Sequence, residues 1–128
     1  MEGVKMNIKK LPDSELEIMQ VLWALDPPAP RAAVEEMVRQ TAPLAQTTIL
    51  TLLGRLADKG FIKAEKNGRS SVYTPLVSRE EYLASQSRRF FEKICGGSVS
   101  AFASALTDSG ISKEDLAELS RLLEEGRL

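Results

Sequence analysis

The chain has 128 residues, 43 % of them apolar and 27 % charged, and a formal net charge of −1, the size and balance of a globular domain with at most a small appendage. It holds no histidine and a single cysteine, Cys95, which excludes a zinc finger, a His-based metal site, a Ser-His or Cys-His nucleophile pair and any disulfide within one chain. No apolar run approaches the ~20 residues that span a bilayer, and no pair of acids is placed to flank a substrate, so no enzyme activity, cofactor, metal or membrane role is expected.

The first ten residues, MEGVKMNIKK, lack the apolar core of a signal peptide, so a cytoplasmic protein is expected. Lys5, Lys9 and Lys10 read as a solvated tail or as an arm touching DNA. Pro12 and Asp13 favour a helix start, and the span Leu11–Leu25 is read as the first helix, with Glu15 and Glu17 suiting its positive end. Ile18, Met19, Leu22, Trp23 and Leu25 make an apolar stripe at three- and four-residue spacing, with Trp23 a core anchor. Asp26-Pro27-Pro28-Ala29-Pro30 cannot continue a helix. A short extended piece is expected near Ala29–Arg31, then a second helix over Arg31–Gln40 burying Val34, Met37 and Val38. Thr41–Leu44, interrupted by Pro43, forms the turn.

A third helix is read from about Gln46 to Lys59. Ile49, Leu52, Leu53 and Leu56 share one face, and Gly60 suits the C-terminal stop, after which Phe61 returns to the core. The opposite face holds Gln46, Thr47, Leu50, Thr51, Gly54, Arg55 and Asp58. Thr47, Thr48 and Thr51 are mediocre helix formers, and Gly54 costs up to ~1 kcal/mol relative to Ala. Leu50 is apolar where solvent is expected. Departures of this kind mark function: small side chains let a helix lie deep in a groove, Leu50 can meet a thymine methyl, and Thr or Gln can bond base edges or phosphates. The plain reading of the threonines is ordinary helix surface, with Thr48 capping or packing near the helix start. Arg55 reaches either a phosphate or Asp58.

Phe61–Lys66 and Ser71–Leu76 alternate around Asn67-Gly68-Arg69-Ser70, and Asn-Gly predicts a hairpin in which both residues accept positive φ. Ile62 and Ala64 are expected to face inward, with Val72 or, in the other register, Tyr73; Lys63, Lys66 and Arg69 face out or sit at the tip. Five cations stand against two anions in residues 45–77, and seven against nine in residues 78–128. Positive charge therefore gathers at the hairpin, where a local phosphate contact needs it. The bland reading of these cations is solubility.

Ser78–Cys95 is read as a further helix, with Ser78 and Glu81 as a capping box and Val77 and Tyr82 as a hydrophobic staple. Leu83, Phe90, Phe91 and Ile94 form its apolar side, and Gly96-Gly97 ends it. A helix over Ser98–Thr107 carries Val99, Phe102, Ala103 and Leu106 on one face. After Asp108-Ser109-Gly110, a box-like start at Ser112 and Asp115, with Ile111 stapled to Leu116, opens a last helix through Leu116, Leu119, Leu122 and Leu123 to about Glu125. These stripes are too few for an independent core. A second copy of the segment is the economical partner, with packing onto the N-terminal domain as the alternative. Cys95 reads as a semi-buried helix residue, an intersubunit disulfide or a redox sensor being the minority reading.

The expected fold is mainly α (α+β): a winged helix-turn-helix DNA-binding domain over residues 1–77, then a helical dimerisation region over residues 78–128. The order of motifs resembles the penicillinase-repressor and methicillin-resistance-regulator family of winged-helix repressors. The likeness rests on Leu11 through Trp23 (L-x-x-x-E-x-x-I-M-x-x-L-W), on Thr48-Ile49-x-Thr51-Leu52-x-x-Arg55-Leu56 running into Lys59-Gly60-Phe61-Ile62, on the Tyr73 strand and on Gly96-Gly97. It implies a cytoplasmic homodimer that binds a palindromic double-stranded DNA operator and represses transcription. Gln46, Thr47, Thr48, Leu50, Thr51, Arg55, Lys66 and Arg69 are the candidate DNA-binding residues. Leu83, Phe90, Phe91, Ile94, Phe102, Leu106, Leu116, Leu119 and Leu123 are the candidate dimerisation residues.

The resemblance also implies a regulatory protease that cuts an Asn-Phe bond, whose positions here are Ala105 and Leu106, a departure from the pattern. A copper-sensing branch uses a cysteine cluster that this chain lacks. Position 50, often basic in such helices, is Leu. Two rivals differ in kind: a protein-binding winged-helix adaptor with no DNA role, and a regulator with a small-molecule pocket.

Overall fold

The structure, a computed structural model, describes residues 8–126; Lys5 lies outside them. The elements in order are α1 (Asp13–Ala24), β1 (Ala29–Pro30), α2 (Arg31–Thr41), α3 (Gln46–Asp58), β2 (Ile62–Asn67), β3 (Ser70–Pro75), α4 (Arg79–Arg89), a π-helical stretch (Phe90–Ile94), α5 (Val99–Asp108) and α6 (Lys113–Glu124). This is the mainly α architecture with a small sheet that the periodicities predict. Among the described residues no helix is long and apolar enough to cross a membrane.

The chain divides into two compact units, the first ending at Gln86 and the second beginning at Ser87. In the first, α1, α2 and α3 turn their apolar stripes onto one core. Ile18, Met19 and Leu22 of α1, Val34 and Val38 of α2, and Ile49, Leu52, Leu53 and Leu56 of α3 are all buried. Met37, Trp23 and Leu25 are half-buried against that core. Each such aliphatic side chain contributes about 1.5–3 kcal/mol through burial, which holds α3 far more firmly than its modest propensity would. Helix α1 begins at Asp13; Leu11 precedes it as a buried residue outside the helix, so the expected start is two residues too early.

Helix α3 ends in a tight left-handed turn. Gly60 has φ +81°, its N–H donates to the Ala57 carbonyl, and the Phe61 N–H donates to that of Leu56. These bonds satisfy carbonyls the helix leaves open and aim Phe61 back into the core. One polar pair crosses this core: Lys59 Nζ, at the end of α3, donates to Oε1 of Glu15, a buried residue near the start of α1.

The sheet is antiparallel in the order β1-β3-β2. Its register pairs Ala64 with Tyr73 and Glu65 with Val72, and Tyr73 is the buried residue, so the Tyr73 alternative holds. Two expectations are corrected. Ala64 is exposed, because β2 extends beyond the core after Ile62 and its methyl has nothing to pack on. Asn67 does not take positive φ; it pairs with Ser70, and the two-residue loop is Gly68-Arg69, with only Gly68 left-handed at φ +69°. Glycine at the first loop position is the requirement of a type II′ turn rather than the expected Asn-Gly type I′ turn.

Helix α4 opens with the expected capping box. Glu81 N–H donates to Ser78 Oγ at 3.0 Å, and Ser78 N–H donates to Glu81 Oε1 at 2.9 Å. Val77 and Tyr82 are both buried, as the staple requires. The helix expected to run unbroken to Cys95 is α-helical only to Arg89 and then widens to π geometry through Ile94. Gly96 and Gly97, both at positive φ, end it.

The second unit is differently made. Phe102 of α5 packs against Phe90 and Phe91, with ring centroids 5.8 Å apart in both pairs. Ser98 and Ser112 cap α5 and α6 by accepting from Ala101 N–H and Asp115 N–H. Yet no described residue from Ser87 onward is buried.

Candidate nucleic-acid interface

The turn through Pro43, Leu44 and Ala45 joins α2 to α3 without a capping side chain. Ala45 occupies the N-cap, no acid follows in the first turn, and the opening N–H groups of α3 lack any side-chain acceptor. The positive end of this helix is therefore free to face an anion. The sequence signal was the absence of Ser, Thr, Asp or Asn just before Gln46, which motif reading passed over.

With Ile49, Leu52, Leu53 and Leu56 facing the core, helical spacing forces the remaining residues outward. Gln46, Thr47, Thr48, Thr51, Gly54 and Arg55 are exposed. Leu50 is half-buried rather than fully in solvent. Thr51 Oγ1 donates to the Thr47 carbonyl at 2.9 Å, so its hydroxyl faces a partner within the helix and remains only an acceptor. Thr48 makes no cap; it stands on the exposed face. A Cβ added at Gly54 would meet nothing within 4 Å, so no packing within the chain calls for glycine there.

The hairpin of β2 and β3 adds charge. Lys63, Lys66 and Arg69 are exposed. Lys63 Nζ lies 3.7 Å from Glu65 Oε1, a loose exposed pair worth little, and Lys59 is committed to Glu15. Among the described residues Arg55 forms no ion pair with Asp58 or any other acid, and Lys66 and Arg69 are likewise unpaired. Three unpaired cations thus lie on α3 and the hairpin, in the same unit as the outward threonines. Lys9 and Lys10 are exposed before α1.

The candidate dimerisation residues divide by exposure. Ile94 is 74 % exposed and Leu123 60 % exposed; Phe90, Phe91, Phe102, Leu106, Leu116 and Leu119 are half-buried. Leu83 is exposed but belongs to the first unit. Ala105 and Leu106 lie inside α5, both half-buried. Cys95 is half-buried at the end of the π-helical stretch. Among the described residues no group of three or more acidic or cysteine side chains is placed to hold a metal ion.

Comparison with known proteins places this arrangement. A family model described as penicillinase repressor matches residues 11–125. The penicillinase repressor of Bacillus licheniformis is 32 % identical over 122 residues, covering 92 % of this chain and 94 % of that protein. The methicillin resistance regulatory protein MecI of Mammaliicoccus sciuri is 28 % identical over 117 residues, covering 89 % of this chain and 93 % of its own. The fold matches the solution structure of the monomeric form of B. licheniformis BlaI, solved in complex with the blaP half-operator. The TM-score is 0.51 at 34 % identity, over 62 % of this chain and 93 % of that one.

Proposed function

The chain belongs to the penicillinase repressor family, and on that premise we propose that it is a transcriptional repressor that binds a palindromic DNA operator as a homodimer. The observation that carries this reading is the division of α3. Its aliphatic face is buried, while Gln46, Thr47, Thr48 and Thr51 stand exposed above an uncapped positive end, in a domain similar to one solved on half-operator DNA. In the proposed complex α3 of each subunit enters the major groove, the two helices lie about one helical turn (~34 Å) apart, and the wings hold the flanking backbone. Phosphates fall to Arg55, Lys66 and Arg69. The protein-binding adaptor is set aside, since the relatives named above are a repressor and a resistance regulator.

Dimerisation is assigned to the helices after Ser87. Their apolar faces leave no described residue buried in a single copy, and a self-complementary pairing through Phe90, Phe91, Ile94, Phe102, Leu106, Leu116, Leu119 and Leu123 would bury them. Release by a regulatory protease at Ala105-Leu106 is the finer part of the proposal. Both residues are helical, so cleavage requires α5 to open first, a sub-global event within a segment that holds little buried surface.

The test is binding to the chain's own promoter region as a function of salt. Three phosphates neutralised per subunit give log K falling with log [salt] with a slope near −5. A salt-insensitive complex, or no preference for that DNA over random duplex, would overturn the reading.

A further inference from the structure

The middle of the outward α3 face holds no side chain free to donate a hydrogen bond. Leu50 has no polar atom, the Thr51 hydroxyl donates to the Thr47 carbonyl at 2.9 Å, and Gly54 has no side chain, with open space where one would be. The groups able to donate outward stand at the two ends: Gln46, Thr47 and Thr48 in the first turn, and Arg55 in the last. Leu50 is half-buried between the exposed Thr47, Thr51 and Gly54 and the buried Ile49 and Leu53, so part of its side chain still faces out.

In the major groove, purine edges are read by amides and guanidinium groups, and the one apolar feature is the C5-methyl of thymine. A surface whose centre lacks donors gains nothing from the two acceptors of guanine, and the contact open to the Leu50 side chain is to cover a methyl. Gly54, one turn further along, adds no bulk that would hold the helix away.

We propose that Leu50 reads a thymine methyl at the centre of each half-site, so that sequence is selected there by apolar contact and not by a hydrogen bond. The inference rests on the reading that α3 enters the major groove. Burying one methyl corresponds to about fourfold in affinity per half-site, and about fifteenfold for a dimer engaged at both.

The experiment first selects the preferred duplex from a random pool with the full chain. It then replaces each symmetry-related pair of thymines in turn by deoxyuridine, which removes the methyls and nothing else, and measures affinity by fluorescence anisotropy. One symmetry-related position is expected to lose about fifteenfold with the natural chain and nothing with Leu50→Ala. A preferred duplex whose methyls are all dispensable overturns the inference and leaves the repressor reading standing. Full methyl sensitivity retained by Leu50→Ala, with melting unchanged, assigns the methyl to another residue and equally overturns it. A chain that selects no sequence at all overturns the repressor reading itself, and the inference with it.

Discussion

The main-chain N–H of Leu11 donates to the hydroxyl of Tyr82 at 2.9 Å, joining residues 71 positions apart at a point where both are buried. Tyr82 also packs beside Trp23 and Phe61, with centroids 5.8 and 6.0 Å away, and Trp23 Nε1 donates to the Val77 carbonyl at 2.9 Å. The opening turns of α4 are thereby part of the first core. That is why the compact division falls after Gln86, nine residues later than the domain boundary expected at residue 77.

Replacing Tyr82 with Phe keeps the ring and strands the Leu11 N–H without an acceptor. A buried unsatisfied donor costs about 1–3 kcal/mol. Urea unfolding should show a lower midpoint at unchanged slope; a loss under about 0.5 kcal/mol would mean that water reaches the amide.

The Glu15–Lys59 pair should respond unequally to its two deletions. Lys59→Ala leaves a carboxylate that is 2 % exposed without a partner, a loss of about 3 kcal/mol. Glu15→Gln leaves a lysine whose side chain is 28 % exposed and can turn toward water, a loss of about 1 kcal/mol. Equal losses, measured by the same unfolding curves, would contradict the asymmetry of burial.

Arg69 at the hairpin tip is exposed and unpaired, so Arg69→Ala should move stability by no more than about 0.5 kcal/mol. On DNA it should weaken preferred and random duplex alike and flatten the salt slope by about 2 for the dimer. A loss confined to the preferred sequence would make Arg69 a base reader; no loss would remove the wing from the interface.

Ile94, the most exposed large apolar side chain among the described residues of the second unit, tests dimerisation without touching the first core. Ile94→Asp should give a monomer by light scattering, with the cooperative melt of the first unit intact. DNA affinity should fall as the second half-site becomes a separate binding event. A dimer that persists places the subunit contact elsewhere.

The helices and the hairpin were legible because their causes are local. Val34 and Val38, or Ile49 through Leu56, repeat at the period of the backbone that carries them, and Ser78 with Glu81 are three residues apart. The hairpin turn was off by one residue because type I′ and type II′ turns both require glycine, and Asn67-Gly68 and Gly68-Arg69 each supply it; closure of the strands decides between them. The Glu15–Lys59 pair and the Leu11–Tyr82 bond were not legible, since nothing near one partner signals the other 44 or 71 residues away. The π-helical stretch had no composition cue. Within the candidate site, exposure of the threonines followed from periodicity, whereas the inward hydroxyl of Thr51 depends on its rotamer and could be found only in three dimensions.

Among the described residues strand β2 pairs on one side only, with β3, so its far side is a row of backbone donors and acceptors open to any passing extended chain. One cation along it therefore serves twice. Lys66 carries charge proposed for the duplex, and together with Lys63 it crowds that border and keeps a second molecule from adding its own strand. An engineer who neutralised the wing to abolish DNA binding would remove this guard too, and should expect the protein to clump.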